Sequence, residues 1–342
     1  MITAGPGTEP TRHGHVLAVQ WESKRIIDVF RFDHQVYHSS HKGCAGAALN
    51  GERLHVTTEC ELVELTLNPF ALVARRTFPY LNDVHHLAVS QDRFWVCNTG
   101  LDCIEELDAN WRLLATHDLI HLAGRRMHYA ALAFRQSVKK GVERLRGWRK
   151  PYEHLSHGPL LRNTRKLLMQ NAFRRGERDL RFCLFRPHVL HPNHALLVDG
   201  DVWVTLWSTG EIVSLRDGTL LAGGLGRPHD GVIFDRLHYT TDCQSCRLVV
   251  HEVDAGCGRL GKKTQDVSIG NASDAGYLRG VAAVGDRVFV GLSRHRRSAG
   301  DPGGARIVAL DRRSLQPVDQ WTLPSECGNA VFSILDGSRH FA

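Results

Sequence analysis

Five stretches of the chain share one pattern of apolar and polar positions. In each stretch an apolar run leads into a short polar turn, and a second run follows, centred on an aromatic residue or His. The stretches are 47–57, 87–97, 195–205, 231–241 and 281–291. Alternating apolar residues on either side of a turn are the signal of a β-hairpin. The pattern therefore predicts five hairpins.

The spacing of these hairpins predicts a propeller. The central residues of the second runs are His55, Trp95, Trp203, Tyr239 and Phe289, which lie 40, 108, 36 and 50 residues apart. A repeat of about 40–45 residues is typical of a four-stranded propeller blade. Further strand-like segments follow each hairpin, and the turn-rich segment 294–304 lengthens the last repeat.

A sixth unit is divided between the two ends of the chain. Residues 329–335 predict an inner strand, and residues 15–20 and 25–30 predict its partners. Such a unit closes the ring and removes open sheet edges. We therefore expect an all-β, six-bladed β-propeller that is closed by N- and C-terminal strands and forms one domain over residues 1–342.

The long interval between the second and third hairpins contains a basic insertion, residues 117–190. It holds 17 Lys and Arg against 5 Asp and Glu, a net charge of +12 in a chain of +7. Residues 130–148 have apolar positions at helical spacing, so the insertion is predicted to be partly helical. Three interpretations are open: a lid packed on one propeller face, a docking surface for an acidic partner or an anionic substrate, or a nucleic-acid or membrane surface. Few aromatic residues stand among the basic ones, which argues against nucleic acid.

Composition narrows the class of protein further. The chain has 42% hydrophobic and 23% charged residues, which is ordinary for a globular protein. We find no apolar segment near the N-terminus and no run of about 20 apolar residues, and so expect a cytoplasmic protein without a membrane span. Nine cysteines without a regular pattern are then expected to be free.

The residues just before the hairpins carry the candidate chemistry. The ninth residue before each central residue is Gly46, His86, His194, Asp230 or Gly280, and the tenth is Ala45, His85, Asn193, His229 or Arg279. Asn329 is expected at the same level in the divided unit. Because inner strands of a propeller line its channel, one of these two rows should meet at the channel mouth. Strand alternation puts neighbouring residues on opposite faces, so the sequence leaves open which row faces the axis.

A row of imidazoles around a channel predicts a divalent metal site. The candidate ligands are His85, His86, His191, His194 and His229. Zinc is the first candidate, and iron or copper also accept imidazole. Arg279 is a candidate for holding a carboxylate or an oxyanion, and Asp230 and Asn193 complete the predicted catalytic set. The alternative is that these polar residues only satisfy strand ends in the channel.

Several phrases resemble a group of bacterial six-bladed propeller proteins that has no assigned activity. These phrases are NTGLDCIEEL at 98–107, HPN at 191–193, RPHDG at 227–231, RG at 279–280 and VGLSR at 290–294. More distantly, the architecture is similar to the NHL, SMP-30 and virginiamycin B lyase-like propellers. That resemblance implies a metal in the channel and lyase or hydrolase chemistry, with His85 or His86, His191 or His194, and His229 as ligands.

Two functions from different classes follow. The first is a metal-dependent lyase or hydrolase that binds a small carboxylate-bearing or peptide-like substrate at the channel mouth against Arg279. The second is a non-catalytic scaffold that binds an acidic partner through the insertion at 117–190.

Overall fold

The computed structural model describes residues 1–5, 14–32, 43–122, 125, 129, 179–181, 189–254, 258–270, 276–294 and 304–341. These residues form six four-stranded antiparallel sheets. The innermost strand of each sheet contacts the innermost strand of the next, and the sixth contacts the first. The all-β propeller prediction is therefore confirmed.

The strands follow the predicted hairpins. In chain order the first complete sheet contains β4 (Gly46–Asn50), β5 (Arg53–Thr57), β6 (Glu61–Thr66) and β7 (Leu72–Thr77). The second contains β8 (Val84–Val89), β9 (Arg93–Asn98), β10 (Cys103–Asp108) and β11 (Leu113–Asp118). The third contains β12 (Pro192–Val198), β13 (Asp201–Leu206), β14 (Glu211–Ser214) and β15 (Leu220–Ala222). The fourth contains β16 (Pro228–Phe234), β17 (Leu237–Asp242), β18 (Arg247–Asp254) and β19 (Arg259–Ser268), and the fifth β20 (Tyr277–Val284), β21 (Arg287–Ser293), β22 (Arg306–Asp311) and β23 (Pro317–Thr322).

The sixth sheet joins the two ends of the chain, with one strand more than the sequence pattern indicated. Its order is β24 (Ser333–Leu335), β1 (Ile2–Gly5), β2 (His15–Gln20) and β3 (Arg25–Arg31). The prediction placed 15–20 directly beside the C-terminal strand, but β1 lies between them and pairs with both. A four-residue strand of sequence ITAG has too few residues to show a clear alternation, which explains why the pattern missed it.

Apolar side chains fill the spaces between neighbouring sheets. Leu62 of the first complete sheet packs in one cluster with Leu87, Val96 and Leu107 of the second. Trp203, which is 1% exposed, packs with Val253 and Leu260 of the next sheet. The outermost strands carry more exposed apolar residues; Leu72 and Val318, for example, are exposed. The core therefore forms a ring around the axis, and the inner strands are held close to one another.

Most of the basic insertion lies outside the described residues, and so does its predicted helical segment, 130–148. Its described start belongs to the second sheet, because β11 runs to Asp118 and a short 3-10 helix, Leu119–His121, follows. Near its end, Leu180 donates a backbone hydrogen bond to Pro79. The described residues include three 3-10 helices, and Tyr129 is helical, since its amide donates to the Arg125 carbonyl at 3.0 Å. None of the described helices is long and apolar enough to cross a membrane.

Candidate functional site

Both predicted rows of polar residues lie at the centre of the ring, because the inner strands are irregular there. Four of the six inner strands break register with their hairpin partner at this level. The breaks fall between Val84 and His86, Pro192 and His194, Pro228 and Gly231, and Arg279 and Val281. A bulge adds a residue and interrupts alternation, so two consecutive side chains can be directed toward one region. Side chains of both rows therefore lie near the axis, whereas strict alternation predicts that only one row does.

Three imidazoles meet in what we call the His cluster, formed by His85, His191 and His229. The ring centroids of His85 and His191 are 4.9 Å apart, and those of His85 and His229 are 6.0 Å apart. His85 also lies beside Asp83, with 3.6 Å between Nε2 and Oδ1. These residues come from the starts of three different sheets, as the sequence predicts.

A carboxylate orients one ring of the His cluster. His229 Nδ1 donates to Asp230 Oδ2 at 3.0 Å, and the Gly280 amide donates to the same oxygen at 2.7 Å. Because a carboxylate only accepts, this contact requires a proton on Nδ1 whether or not the ring is charged, and in the neutral form of the ring the lone pair is on Nε2. Burial raises the pKa of Asp230, but the charge of the protonated His229 ring and the hydrogen bond from Nδ1 outweigh burial and lower that pKa below its ordinary value. The pair has the geometry of an acid–base dyad.

His86 and His194 form a separate pair on the cavity side of the His cluster. Their ring centroids are 4.0 Å apart, and both side chains line the central cavity. Burial lowers the pKa of His86 to about 4, and burial together with His86 lowers the pKa of His194 as well. Both rings are therefore neutral at pH 7. The five predicted ligands thus divide into two groups.

The central cavity has a volume of about 410 Å³ and is lined by all six inner strands. Its polar end is formed by His86, His194, Asp230 and Ser333, and its walls are mainly apolar. Gly46 and Asn329 are not among the lining residues; Ala47 and Ser333 occupy the corresponding places. The expected level of Asn329 was therefore wrong by four residues, because β24 begins only at Ser333.

Arg279 and Asn193 make different contacts near this centre. The Arg279 guanidinium carbon is 4.3 Å above the ring of Phe332, and that ring lies 6.4 Å from His229. No described residue accepts a hydrogen bond from Arg279 Nε. Asn193 instead points to the next sheet, where its Nδ2 donates to the Pro228 carbonyl at 3.5 Å. The Arg279 guanidinium thus stacks on a ring that also faces His229, while Asn193 joins two sheets.

Asp102 is a residue of the site that the sequence reasoning did not single out. Its buried carboxylate accepts the backbone amides of Val189 at 2.8 Å, Leu190 at 3.0 Å and His191 at 2.9 Å. His191 has a φ of +58°, a left-handed conformation that is uncommon outside glycine. The three hydrogen bonds hold that conformation and so position the His191 ring. Asp102 lies within the phrase 98–107, so the resemblance was the available signal.

The arrangement of the side chains bears on the predicted metal. Among the residues that the structure describes, no group of three or more His, Cys, Asp or Glu is arranged to hold a metal ion. The His residues converge as rings in two groups and do not form one ligand set. The metal therefore stays a prediction.

Comparison with known proteins identifies the fold. No family model matches the sequence, and no curated protein matches it. A protein of unknown function from Bacteroides caccae is similar over 97% of both chains, with a TM-score of 0.55 and 11% identity. The match to a chain of a nidogen–laminin complex covers 97% of this chain and 96% of that chain, with a TM-score of 0.53 and 11% identity. The match to the periplasmic gluconolactonase PpgL of Pseudomonas aeruginosa covers 96% of this chain and 97% of that chain, with a TM-score of 0.51 and 11% identity. At this identity the likeness shows the fold, which these solved structures use for different purposes.

Proposed function

We propose that this protein is a lyase- or hydrolase-type propeller enzyme that acts on a small carboxylate-bearing or peptide-like substrate at the His cluster. The observation that supports the proposal best is the oriented dyad: His229 and Asp230 are joined at 3.0 Å, with the His85 ring 6.0 Å from that of His229. We take the six sheets as six blades, whose inner strands supply these residues.

His229 is the proposed acid–base group. With a proton held on Nδ1 by Asp230, the Nε2 lone pair of the neutral ring accepts a proton from the substrate or from an attacking water. In an elimination, the electron pair of the broken C–H bond forms the double bond, and the leaving group takes a proton from His85. In a hydrolysis, water loses its proton to His229 as it attacks the carbonyl, and the same ring returns that proton to the leaving group.

Arg279 is the proposed binding group for the carboxylate. A guanidinium holds a carboxylate through two parallel hydrogen bonds, and its plane stacks on an aromatic ring. Phe332 provides such a ring and also faces His229, so a carboxylate bound by Arg279 would lie beside the acid–base group. Asn193 is proposed to position the strand entries rather than to touch the substrate.

The test is a turnover screen on purified full-length protein. The panel contains small lactones, esters, 2- and 3-hydroxy acids and short peptide amides, and each is tested with wild type, His229→Gln and His55→Gln. His55 is a matched control because it is equally buried, yet it packs against Phe94 and Trp111. We expect activity that is lost in His229→Gln and retained in His55→Gln. Equal activity in both variants would contradict the proposal.

Metal analysis of the same preparations tests the predicted metal separately. Elemental analysis of the protein, before and after incubation with zinc, iron or copper salts, measures binding directly. Bound metal that is lost in His85→Gln would assign the metal to the His cluster. Protein that binds no metal and retains its activity in chelator would leave the dyad as the complete site.

A further inference from the structure

The central cavity is a second candidate binding site, distinct from the His cluster. Its walls are formed by short and branched apolar residues, among them Leu49, Val89, Leu197 and Val281. Its volume of about 410 Å³ lies within the range of about 300–1,000 Å³ that is typical of ligand pockets. The cavity can thus hold a small, largely apolar molecule.

The charges along the cavity have one sign. Its lining contains two carboxylates, Asp230 at the polar end and Asp336 near the other, and it contains no Lys or Arg. Arg279, which precedes the lining residue Gly280, and the Met1 ammonium, which interacts with Asp336, are not among the lining residues. A ligand carboxylate would therefore meet like charge here, whereas a ligand ammonium would meet opposite charge.

Two buried polar groups at the polar end have unused hydrogen-bonding capacity. Asp230 is 5% exposed, and both of its described side-chain hydrogen bonds go to Oδ2, so no described residue donates to Oδ1. His194 is 7% exposed, and no described residue forms a hydrogen bond with its ring. Buried polar groups are normally satisfied, which makes such groups at a cavity surface a mark of ligand binding.

We propose that this cavity binds a small hydrophobic amine, with its ammonium group against Asp230 Oδ1 and its hydrocarbon part along the inner strands. The ammonium donates to the carboxylate and to the His194 ring, and the walls remove the hydrocarbon part from water. The site does not depend on the proposed reaction, because its ligand class differs from that expected at Arg279 and its test measures binding.

The test is isothermal titration calorimetry of the full-length protein with hexylammonium, and with hexanoate as the matched probe of opposite charge. We expect hexylammonium to bind at least about tenfold more tightly than hexanoate, since a charge-assisted hydrogen bond changes affinity by about that factor or more. Asp230→Asn should weaken hexylammonium by a similar factor.

A second pair of variants keeps the test decisive if Asp230→Asn does not fold. Ala48→Phe places a ring in the cavity wall away from the polar end and should abolish binding. Ala74→Phe introduces the same ring on the outer strand of the same sheet, outside the cavity, and should leave binding unchanged. Equal affinity for hexanoate, binding that survives Ala48→Phe, or no binding of hexylammonium at all would overturn the proposal.

Discussion

Replacement of Asp102 tests how the fold positions the His cluster. This carboxylate is fully buried and accepts three backbone amides from residues 189–191. In Asp102→Asn, an amide NH₂ group replaces one carboxylate oxygen. If this NH₂ group faces Val189, two donors, the NH₂ and the Val189 backbone N–H, are directed at each other and neither has an acceptor. A hydrogen bond to a charged group contributes about 1.5–3 kcal/mol, and an unsatisfied buried donor costs about 1–3 kcal/mol. We therefore expect Asp102→Asn to lower the free energy of unfolding by about 3 kcal/mol and Asp102→Ala to lower it further.

Urea denaturation followed by circular dichroism at pH 7 measures this effect. Asp311→Asn is the matched control, because Asp311 accepts from the Arg313 and Ser314 amides and the Ser314 hydroxyl at the surface, where water can replace each bond. Its denaturation midpoint should change little. We also expect Asp102→Asn to lose turnover in the absence of urea, because the hydrogen bonds that position the His191 ring are weakened. Equal midpoints for Asp102→Asn and Asp311→Asn would refute the reasoning.

Three further predictions follow from single residues. Burial lowers the pKa of His55 to about 4, below its unfolded value near 6.5. The contribution of His55 to the free energy of unfolding is therefore greatest above pH 6.5 and falls by about 3 kcal/mol as the pH drops to 4. Denaturation of His55→Gln at several pH values should show a weaker dependence of stability on pH. Gly46→Ala should destabilise the protein, because the new Cβ would lie 2.5 Å from the His85 carbonyl oxygen. Gly223→Ala should not, because the nearest atom to its new Cβ is a Leu220 methyl carbon at 3.5 Å. Thermal denaturation compares the two variants. Arg279→Lys keeps the charge but loses the planar fork, so steady-state kinetics should show KM raised about tenfold with a smaller change in kcat.

Local patterns along the chain predicted the hairpins well. All five central residues pair across a hairpin with the inner strand, for example His55 with Ala48 and Phe289 with Ala282. Period-two alternation and turn residues depend on neighbours in sequence, so they are readable without a structure. The same patterns placed His86, His194 and Asp230 at the centre of the ring.

The arrangement of the site required long-range information. The bulges that bring His85 and His229 together depend on pairing between strands and leave no mark in composition. Asp102 acts on His191 across 89 residues of sequence. Strict alternation predicted one row of side chains facing the axis, and the irregular strands produced two adjacent groups. The described residues accordingly do not form a single metal site from both rows.

The dyad of His229 and Asp230 is the centre of the proposed site, and a comparison of turnover tests its role most directly. On any substrate that the wild type converts, kcat/KM is measured for His229→Gln and for His55→Gln at the same pH. A positioned acid–base group contributes about 10²–10⁴-fold, so we expect a loss of at least about 100-fold in His229→Gln and less than about threefold in His55→Gln. Full activity in a folded His229→Gln protein would contradict the assignment of the site.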